Sequence, residues 1–310
     1  MKVLVTGGAG FLGSALVNRL VRQGHHVRVL DDLSAGDRSR LDSRAVFTRG
    51  ETRDIPRLWA LLKGVDCVYH LAARVSVQES VLYPVEYNEV NVGGTVSLMT
   101  AVRDARVKRV VFTSSGAAYG EQDEQPVPET AQLRPASPYA VSKMAAEGYV
   151  LALGALWGIE TVILRIFNAY GPGQSIPPTH APVIPKLVKQ ILSGGSLVIY
   201  GDGEQTRDFV YVGDVVDAMA AAAGASSVDR AVINVGSGQE VSINALVDAI
   251  EGATGRSAHR LHNEEEGGGV SRLVADLSLA RRKLSFQPRV KLERGLRRIL
   301  KEDPQFRQGS

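Results

Sequence analysis

Residues 1–31 constrain this chain more than any other stretch. Lys2–Thr6 is an apolar, strand-like run, and Thr6-Gly7-Gly8-Ala9-Gly10-Phe11-Leu12-Gly13 follows without a break. Phe11–Gln23 then repeats its apolar residues at helical spacing and stops at Gly24. Gly7, Gly10 and Gly13 fit Gly-x-x-Gly-x-x-Gly, and Gly8, Gly10 and Gly13 also fit Gly-x-Gly-x-x-Gly. Glycines between a strand and a helix permit a tight turn and a close backbone approach to a pyrophosphate, whose charge suits the helix N-terminus. Gly7, Gly10, Phe11, Leu12 and Gly13 are therefore candidate cofactor contacts. A second strand, His26–Leu30, ends at Asp31 and Asp32, and Asp31 lies eighteen residues past Gly13. A carboxylate there can accept both hydroxyls of an adenine ribose and repels a 2′-phosphate, which selects NAD over NADP. Arg28 points into the strand pattern and makes a poor phosphate clamp.

The alternation continues. Ala45–Thr48, Asp66–Leu71, Arg109–Ser114 and Glu160–Phe167 read as strands, and Val85–Asp104 as a long helix. Ser137 is a good N-cap with Pro138 at the first helical position, predicting a helix to about Trp157. This pattern predicts an α/β fold with a doubly wound parallel sheet. After Asn168 the texture changes to a Gly/Pro loop, helix Ile184–Leu192, short strand Leu197–Tyr200 and a strand–helix–strand return over 208–235. The expected division is a dinucleotide-binding domain of 1–168 plus 208–240 and a smaller lobe of 169–207 plus 241–307. That lobe should close over the carboxyl ends of the strands.

Composition narrows the function classes. A net charge of +3 and a pI near 9.0 mildly suit an anionic ligand and give no argument for nucleic acid. The late basic stretches, Arg281-Arg282-Lys283 and Arg294–Arg298, read as solvated helix surface. The one cysteine, Cys67, excludes an internal disulfide or a Cys-based zinc cluster and reads as a buried strand residue. The first strand starts at residue 2 and no run approaches the length of a membrane span, so a reduced cytoplasmic compartment is expected.

Redox chemistry at an alcohol carbon is suggested by Ser137-Pro138-Tyr139-Ala140-Val141-Ser142-Lys143, with Ser115 ending a strand 24 residues before Tyr139. Positions i and i+4 share a helix face, so Lys143 lies one turn beyond Tyr139. A phenol titrates near 10. The Lys143 ammonium, an oxidised nicotinamide and the helix N-terminal turn would each favour its anion. Ser115 can hydrogen-bond the reacting oxygen and relay its proton.

With these motifs the chain resembles the extended short-chain dehydrogenase/reductases that act on nucleotide sugars, and among them most closely the UDP-sugar 4-epimerases. The matching stretches are Gly7–Gly13, His70-Leu71-Ala72-Ala73, Asn91-Val92-Gly93-Gly94-Thr95, Ser114–Gly120, Ser137–Lys143, Asn168-Ala169-Tyr170-Gly171-Pro172 and Gly201–Asp208. The resemblance implies an enzyme that keeps NAD bound. It implies Tyr139 as base for the sugar 4-hydroxyl, Ser115 as its hydrogen-bonding partner, and Lys143 as ribose anchor and pKa modulator. It adds Leu71, Ala72, Ala73 and Asn91 to the cofactor contacts and Ser76 to the substrate contacts. Asn168 and Arg207 are implied at the diphosphate, and Val198, Tyr200 and Val241 around the uracil and ribose. A UDP-sugar substrate is expected, and a homodimer formed as a four-helix bundle from Val85–Asp104 and Ser137–Trp157. Leu151, Leu153, Leu156 and Trp157 would add apolar surface to that bundle.

Sugar 4,6-dehydratases and uronate decarboxylases of this superfamily carry an acid just after the active-site serine or threonine. Here Gly116-Ala117 follows Ser115, which favours simple inversion at C4. Two stretches depart from the family pattern. Gly50-Glu51-Thr52 stands where relatives usually place an aspartate against the adenine. Glu264-Glu265-Glu266-Gly267-Gly268-Gly269 replaces an Arg-x-Gly-Asp, leaving Arg272 as the nearest replacement cation. Lys186 is close to where uronate epimerases place a cation. Neutral hexose, N-acetylhexosamine and uronate substrates stay open, as do a nucleotide-sugar dehydratase or ketoreductase and a non-catalytic NAD-binding regulator.

Overall fold

A computed structural model describes residues 1–263 and 270–307. The departure over 264–269 falls outside the described residues. Along the chain come strands β1 (Lys2–Thr6), β2 (His26–Asp31), β3 (Val46–Arg49), β4 (Cys67–His70), β5 (Arg109–Ser115) and β6 (Glu160–Ile166). Between them run helices α1 (Phe11–Arg22), α2 (Ile55–Leu62), α3 (Val77–Leu82), α4 (Pro84–Tyr87), α5 (Gly94–Asp104) and α6 (Pro138–Trp157). The rest comprises β7 (Asn168–Tyr170), α7 (Val183–Leu192), β8 (Leu197–Tyr200), β9 (Thr206–Arg207), β10 (Phe209–Tyr211), α8 (Val212–Gly224), β11 (Ala231–Val235), β12 (Val241–Ser242), α9 (Ile243–Thr254), β13 (Arg260–Asn263), α10 (Ser278–Leu284) and α11 (Leu292–Glu302).

Seven strands form one parallel sheet in the order β11-β6-β5-β4-β1-β2-β3. Both of its faces are covered, and for that reason the strands read as nearly unbroken apolar runs. In β1, Val3 and Val5 join the core beneath α1 and α8, whereas Leu4 joins the core beneath α2, α5 and α6. Strand order reverses direction between β1 and β4, and in open α/β sheets ligands bind outside the carboxyl ends of the strands at such a switch point. β7 pairs with β10, β8 with β13 and β9 with β12 in three small two-stranded sheets.

Ser137 accepts a hydrogen bond from the Ala140 N–H at 3.1 Å, and Gly158, in the left-handed region at φ 65°, ends α6 where the sequence predicts. Other expectations change. The long helix Val85–Asp104 is interrupted by a π-helical turn, Asn88–Gly93, between α4 and α5. Asn91, in that turn, ties its side chain to Arg74 and Ser142. α2 and β13 went unforeseen. Leu151, Leu153 and Trp157 pack against the chain's own core, and the large apolar residues that α6 exposes are Val141, Tyr149 and Leu156. Among the described residues, no helix is long and apolar enough to cross a membrane.

Candidate active site

The glycine loop after β1 and the Leu71–Ala73 loop after β4 touch at the switch point. Gly7 sits at φ +67°, and a Cβ there would meet the Ala72 backbone nitrogen at 2.6 Å. A Cβ on Gly13 would strike the Gly7 carbonyl, so glycine is what lets α1 begin this close to the turn. No side chain caps α1 at Gly10, leaving its first turn, with Phe11 and Leu12, to face a ligand. This cradle fits a dinucleotide pyrophosphate.

Asp31 ends β2 nearly buried, and desolvation raises its pKa. Its Oδ2 accepts from the Ala9 N–H and its Oδ1 from the Leu33 N–H, both at 2.9 Å. Each oxygen keeps a lone pair for a ribose hydroxyl. Asp32 turns onto its own loop, where Oδ1 accepts from the Ser34 N–H at 2.8 Å and hydroxyl at 2.7 Å. Arg28 donates to the Leu61 and Lys63 carbonyls at the end of α2, which occupies its guanidinium. Glu51 is exposed and paired with Arg53 at 2.7 Å.

Across the loop, Asn91 is buried and heavily engaged. Its amide donates to the Arg74 carbonyl at 3.0 Å and to Ser142 Oγ at 2.9 Å, and its oxygen accepts from the Arg74 N–H at 2.8 Å. Its side chain fixes the loop that carries Ala72 and Ala73. Ser76 caps α3, accepting from the Glu79 N–H at 3.1 Å.

Ser115 and Tyr139 meet, and Lys143 follows Tyr139 one helical turn further along α6. β5 brings Ser115 to the sheet's carboxyl edge, where its Oγ accepts from the Ala117 N–H at 3.1 Å, and α6 lays Tyr139 close enough for the Ser115 hydroxyl to favour its phenolate. Lys143 is 4 % exposed and donates to the Thr113 carbonyl at 2.7 Å, with its ammonium 4.9 Å from the centre of the Phe112 ring. Burial brings this ammonium down to about 8, partly offset by Glu147. Burial raises the Tyr139 phenol above its ordinary value, and the Ser115 hydrogen bond opposes that rise. In the protein alone, then, the expected depression of the phenol pKa is absent, because desolvation disfavours the phenolate more than its neighbours favour it.

The residues assigned to substrate fall into two groups. Arg207 pairs in register with Val241 across β9 and β12, and Asn168 donates to the Asp208 carbonyl at 3.1 Å. Arg207 is partly buried, its pKa lowered by desolvation, and among the described residues no carboxylate lies within ion-pair distance of it. Val198 and Tyr200 lie together on exposed positions of β8, with the Lys186 ammonium 5.7 Å from the Tyr200 ring centre. Lys186 therefore accompanies the Tyr200 group. Arg272 does not stand free as a replacement cation, for Glu240 grips it at 2.6 and 2.8 Å while also accepting from the Thr206 hydroxyl.

Residues 3–236 match the model of the NAD dependent epimerase/dehydratase family. The chain belongs to this family. It is 40 % identical over 304 residues to a UDP-glucose 4-epimerase of Mycolicibacterium smegmatis, covering 96 % of each chain. The solved UDP-glucose 4-epimerase of Thermotoga maritima, crystallised with UDP-glucose, superposes with a TM-score of 0.93 at 35 % identity, over 97 % of this chain and 98 % of that one. The UDP-N-acetylglucosamine 4-epimerase of Methanobrevibacter ruminantium, in complex with UDP-N-acetylmuramic acid, gives 0.92 at 37 % identity over 97 % of each. NAD is accordingly the cofactor of this epimerase/dehydratase family member.

Two residues that support the site were not singled out in the sequence. Asp208 is fully buried and accepts from the Ser237 N–H and hydroxyl at 2.6 Å, the Gly238 N–H at 2.9 Å and the Ala275 N–H at 3.2 Å. It fixes the backbone next to Arg207, and its position just after Thr206-Arg207 was the available signal. His70, held neutral by burial with its pKa down to about 3, bridges Thr6 at 2.7 Å and Thr95 at 2.9 Å, joining β1, β4 and α5 at the switch point.

Proposed function

We propose that this chain is an NAD-dependent UDP-sugar 4-epimerase of the UDP-glucose/UDP-galactose type. Bound NAD would supply a reversible acceptor for hydride from the sugar C4, held by the glycine cradle and Asp31. Tyr139 takes the proton of the 4-hydroxyl as its C–O bond becomes a carbonyl, and Ser115 hydrogen-bonds that oxygen. Lys143 supplies positive charge behind Tyr139 and holds the nicotinamide ribose. Arg207 and Asn168 grip the diphosphate, with Val198, Tyr200 and Val241 around the uridine. The nucleotide stays anchored while the 4-keto sugar turns its other face. On this reading 169–207 plus 241–307 form the sugar-nucleotide lobe, and 1–168 plus 208–240 the cofactor domain.

One observation carries inversion over elimination. Gly116, directly after Ser115, carries no side chain and a Cβ there would press on the Phe167 ring at 3.2 Å, so the place where an elimination catalyst needs an acid has none. The Lys186 ammonium lies over the Tyr200 ring, 5.7 Å from its centre, and a cation drawn to the ring assigned to the uridine favours a neutral sugar over a uronate. Purified protein given UDP-glucose, UDP-N-acetylglucosamine and UDP-glucuronate separately, without added cofactor, should form the C4 epimer fastest from UDP-glucose. A requirement for added NADH, or a dehydrated product, would overturn the proposal.

The dimer is proposed on α4, α5 and α6, supported by Leu156 at 76 % exposure and Val85 at 65 %. Light scattering at micromolar concentration should give twice the 33.3 kDa chain mass. A reduced cytoplasmic setting is in keeping with the buried free thiol of Cys67, which burial pushes up to about 12.

A further inference from the structure

We propose that Tyr87 is a positioning residue for Tyr139, an inference that rests on the catalytic role given to Tyr139 above. Tyr87 is fully buried at the end of α4, and its ring meets the Tyr139 ring edge-on, with centroids 6.5 Å apart and planes at 87°. Edge-to-face contact of this kind is a preferred aromatic geometry.

Tyr87 is itself held on three sides. Its hydroxyl donates to Glu79 Oε2 at 2.8 Å, and Glu79 Oε1 accepts from Arg74 Nη2 at 2.9 Å. The Arg74 guanidinium lies over the Tyr87 ring, 5.4 Å from its centre. Hydroxyl, face and edge all have partners, so the ring has one orientation to offer Tyr139. The same segment reaches Tyr139 a second time through the backbone. Asn91, four residues past Tyr87, donates to Ser142 Oγ at 2.9 Å, and Ser142 in turn donates to the Tyr139 carbonyl at 2.8 Å.

Tyr139 needs such a wall. Tyr139 is buried, and Ser115 acts on its hydroxyl end alone, so the angle of the ring is set by what packs against its sides, of which the Tyr87 edge is one. Proton transfer at a sugar oxygen tolerates little error in that angle, because a misplacement of about 1 Å costs roughly 10²-fold in rate. Simple packing is a weaker account of Tyr87. A filler would serve as well without a phenol, and here a phenol, a carboxylate and a guanidinium are drawn together behind the wall. The arrangement also connects Tyr139 to the segment between the cofactor loop and α3, because Arg74 follows Ala73 and Ser76 caps the helix that carries Glu79.

The test compares Tyr87→Leu, Tyr87→Phe and Tyr139→Phe, each as NAD-loaded protein with UDP-glucose and with rates divided by bound NAD. Tyr87→Leu removes the wall and should lower kcat by roughly 10- to 100-fold, leaving KM within about twofold. Tyr87→Phe keeps the ring and loses the hydroxyl with its bond to Glu79, so its loss should be intermediate, about three- to tenfold. A Tyr87→Leu kcat within twofold of the parent, or a loss confined to KM, overturns the proposal. Should Tyr87→Leu not fold, Tyr87→Phe and Glu79→Leu decide, and unchanged kcat in both overturns it. Activity surviving in Tyr139→Phe would refute the underlying reading, whereas an inactive Tyr139→Phe beside a fully active Tyr87→Leu refutes only the role of Tyr87.

Discussion

The Lys143 ammonium donates to the Thr113 carbonyl at 2.7 Å, joining α6 to the strand that ends at Ser115. That bond ties two of the three reacting side chains to one rigid corner of sheet and helix. It also fixes a buried charge, and from this a stability prediction follows.

Lys143 has a folded pKa brought down to about 8 from an ordinary 10.5. Between those values the unfolded chain binds more protons than the folded one, so the contribution of Lys143 to stability rises with pH across that window. Below about pH 8 the ammonium costs stability in full. Urea unfolding of NAD-free protein should therefore show the parent gaining on Lys143→Met as pH is raised from 7.5 to 10. A pH-independent difference would contradict the shift.

For Ser115 the sign runs the other way. Its hydrogen bond lowers a Tyr139 pKa that burial raises. Tyr139 must be deprotonated to act as base, so kcat climbs with pH through that pKa. Ser115→Ala should move the rising limb to higher pH and lower the plateau by about 10²-fold. A limb that stays in place would remove Ser115 from this role.

Arg165 and Glu147 form an ion pair at 2.8 Å with 6 % and 4 % of their side chains exposed, and Arg165 also donates to the Tyr119 hydroxyl at 2.9 Å. Removing one partner strands the other charge in the core. Arg165→Met should destabilise by about 3–5 kcal/mol, and Arg165→Met with Glu147→Leu by distinctly less. Equal losses in denaturant titrations would show that the pair acts through packing alone.

At the cradle, Gly13→Ala places a methyl group against the Gly7 carbonyl. The purified variant should retain its fold by circular dichroism and lose roughly tenfold or more in NAD affinity. Full NAD occupancy would show that the pyrophosphate does not lie over this turn.

Local chemistry accounts for what could be read in advance. Pro138 behind a serine cap and a glycine able to turn left-handed at 158 define α6, and the glycines after β1 define the cradle, because each signal lies within a few residues of the structure it makes. α2 also carries a local signal, since Asp54 caps it, accepting from the Arg57 N–H at 3.1 Å, and Pro56 sits in its first turn, but the segment is short. β13 was hidden because its partner, β8, lies some sixty residues away, with Arg260 aligned to Leu197. The same limit applies to the site. Glu240 neutralises Arg272, and Lys186 stands by Tyr200, through contacts between segments that sequence spacing does not relate. Tyr87 lies within the stretch expected as one long helix, and the π-turn after it, which puts Asn91 against Ser142, has no local signature.

The most direct test of the central claim follows the hydrogen on C4. UDP-glucose deuterated at C4, incubated in ordinary water with the purified protein and no added cofactor, should yield UDP-galactose that keeps its deuterium at C4, and Tyr139→Phe should lower the rate by at least about 10²-fold. Deuterium lost to solvent, or an equally fast Tyr139→Phe variant, would contradict epimerisation by hydride return with Tyr139 as the base.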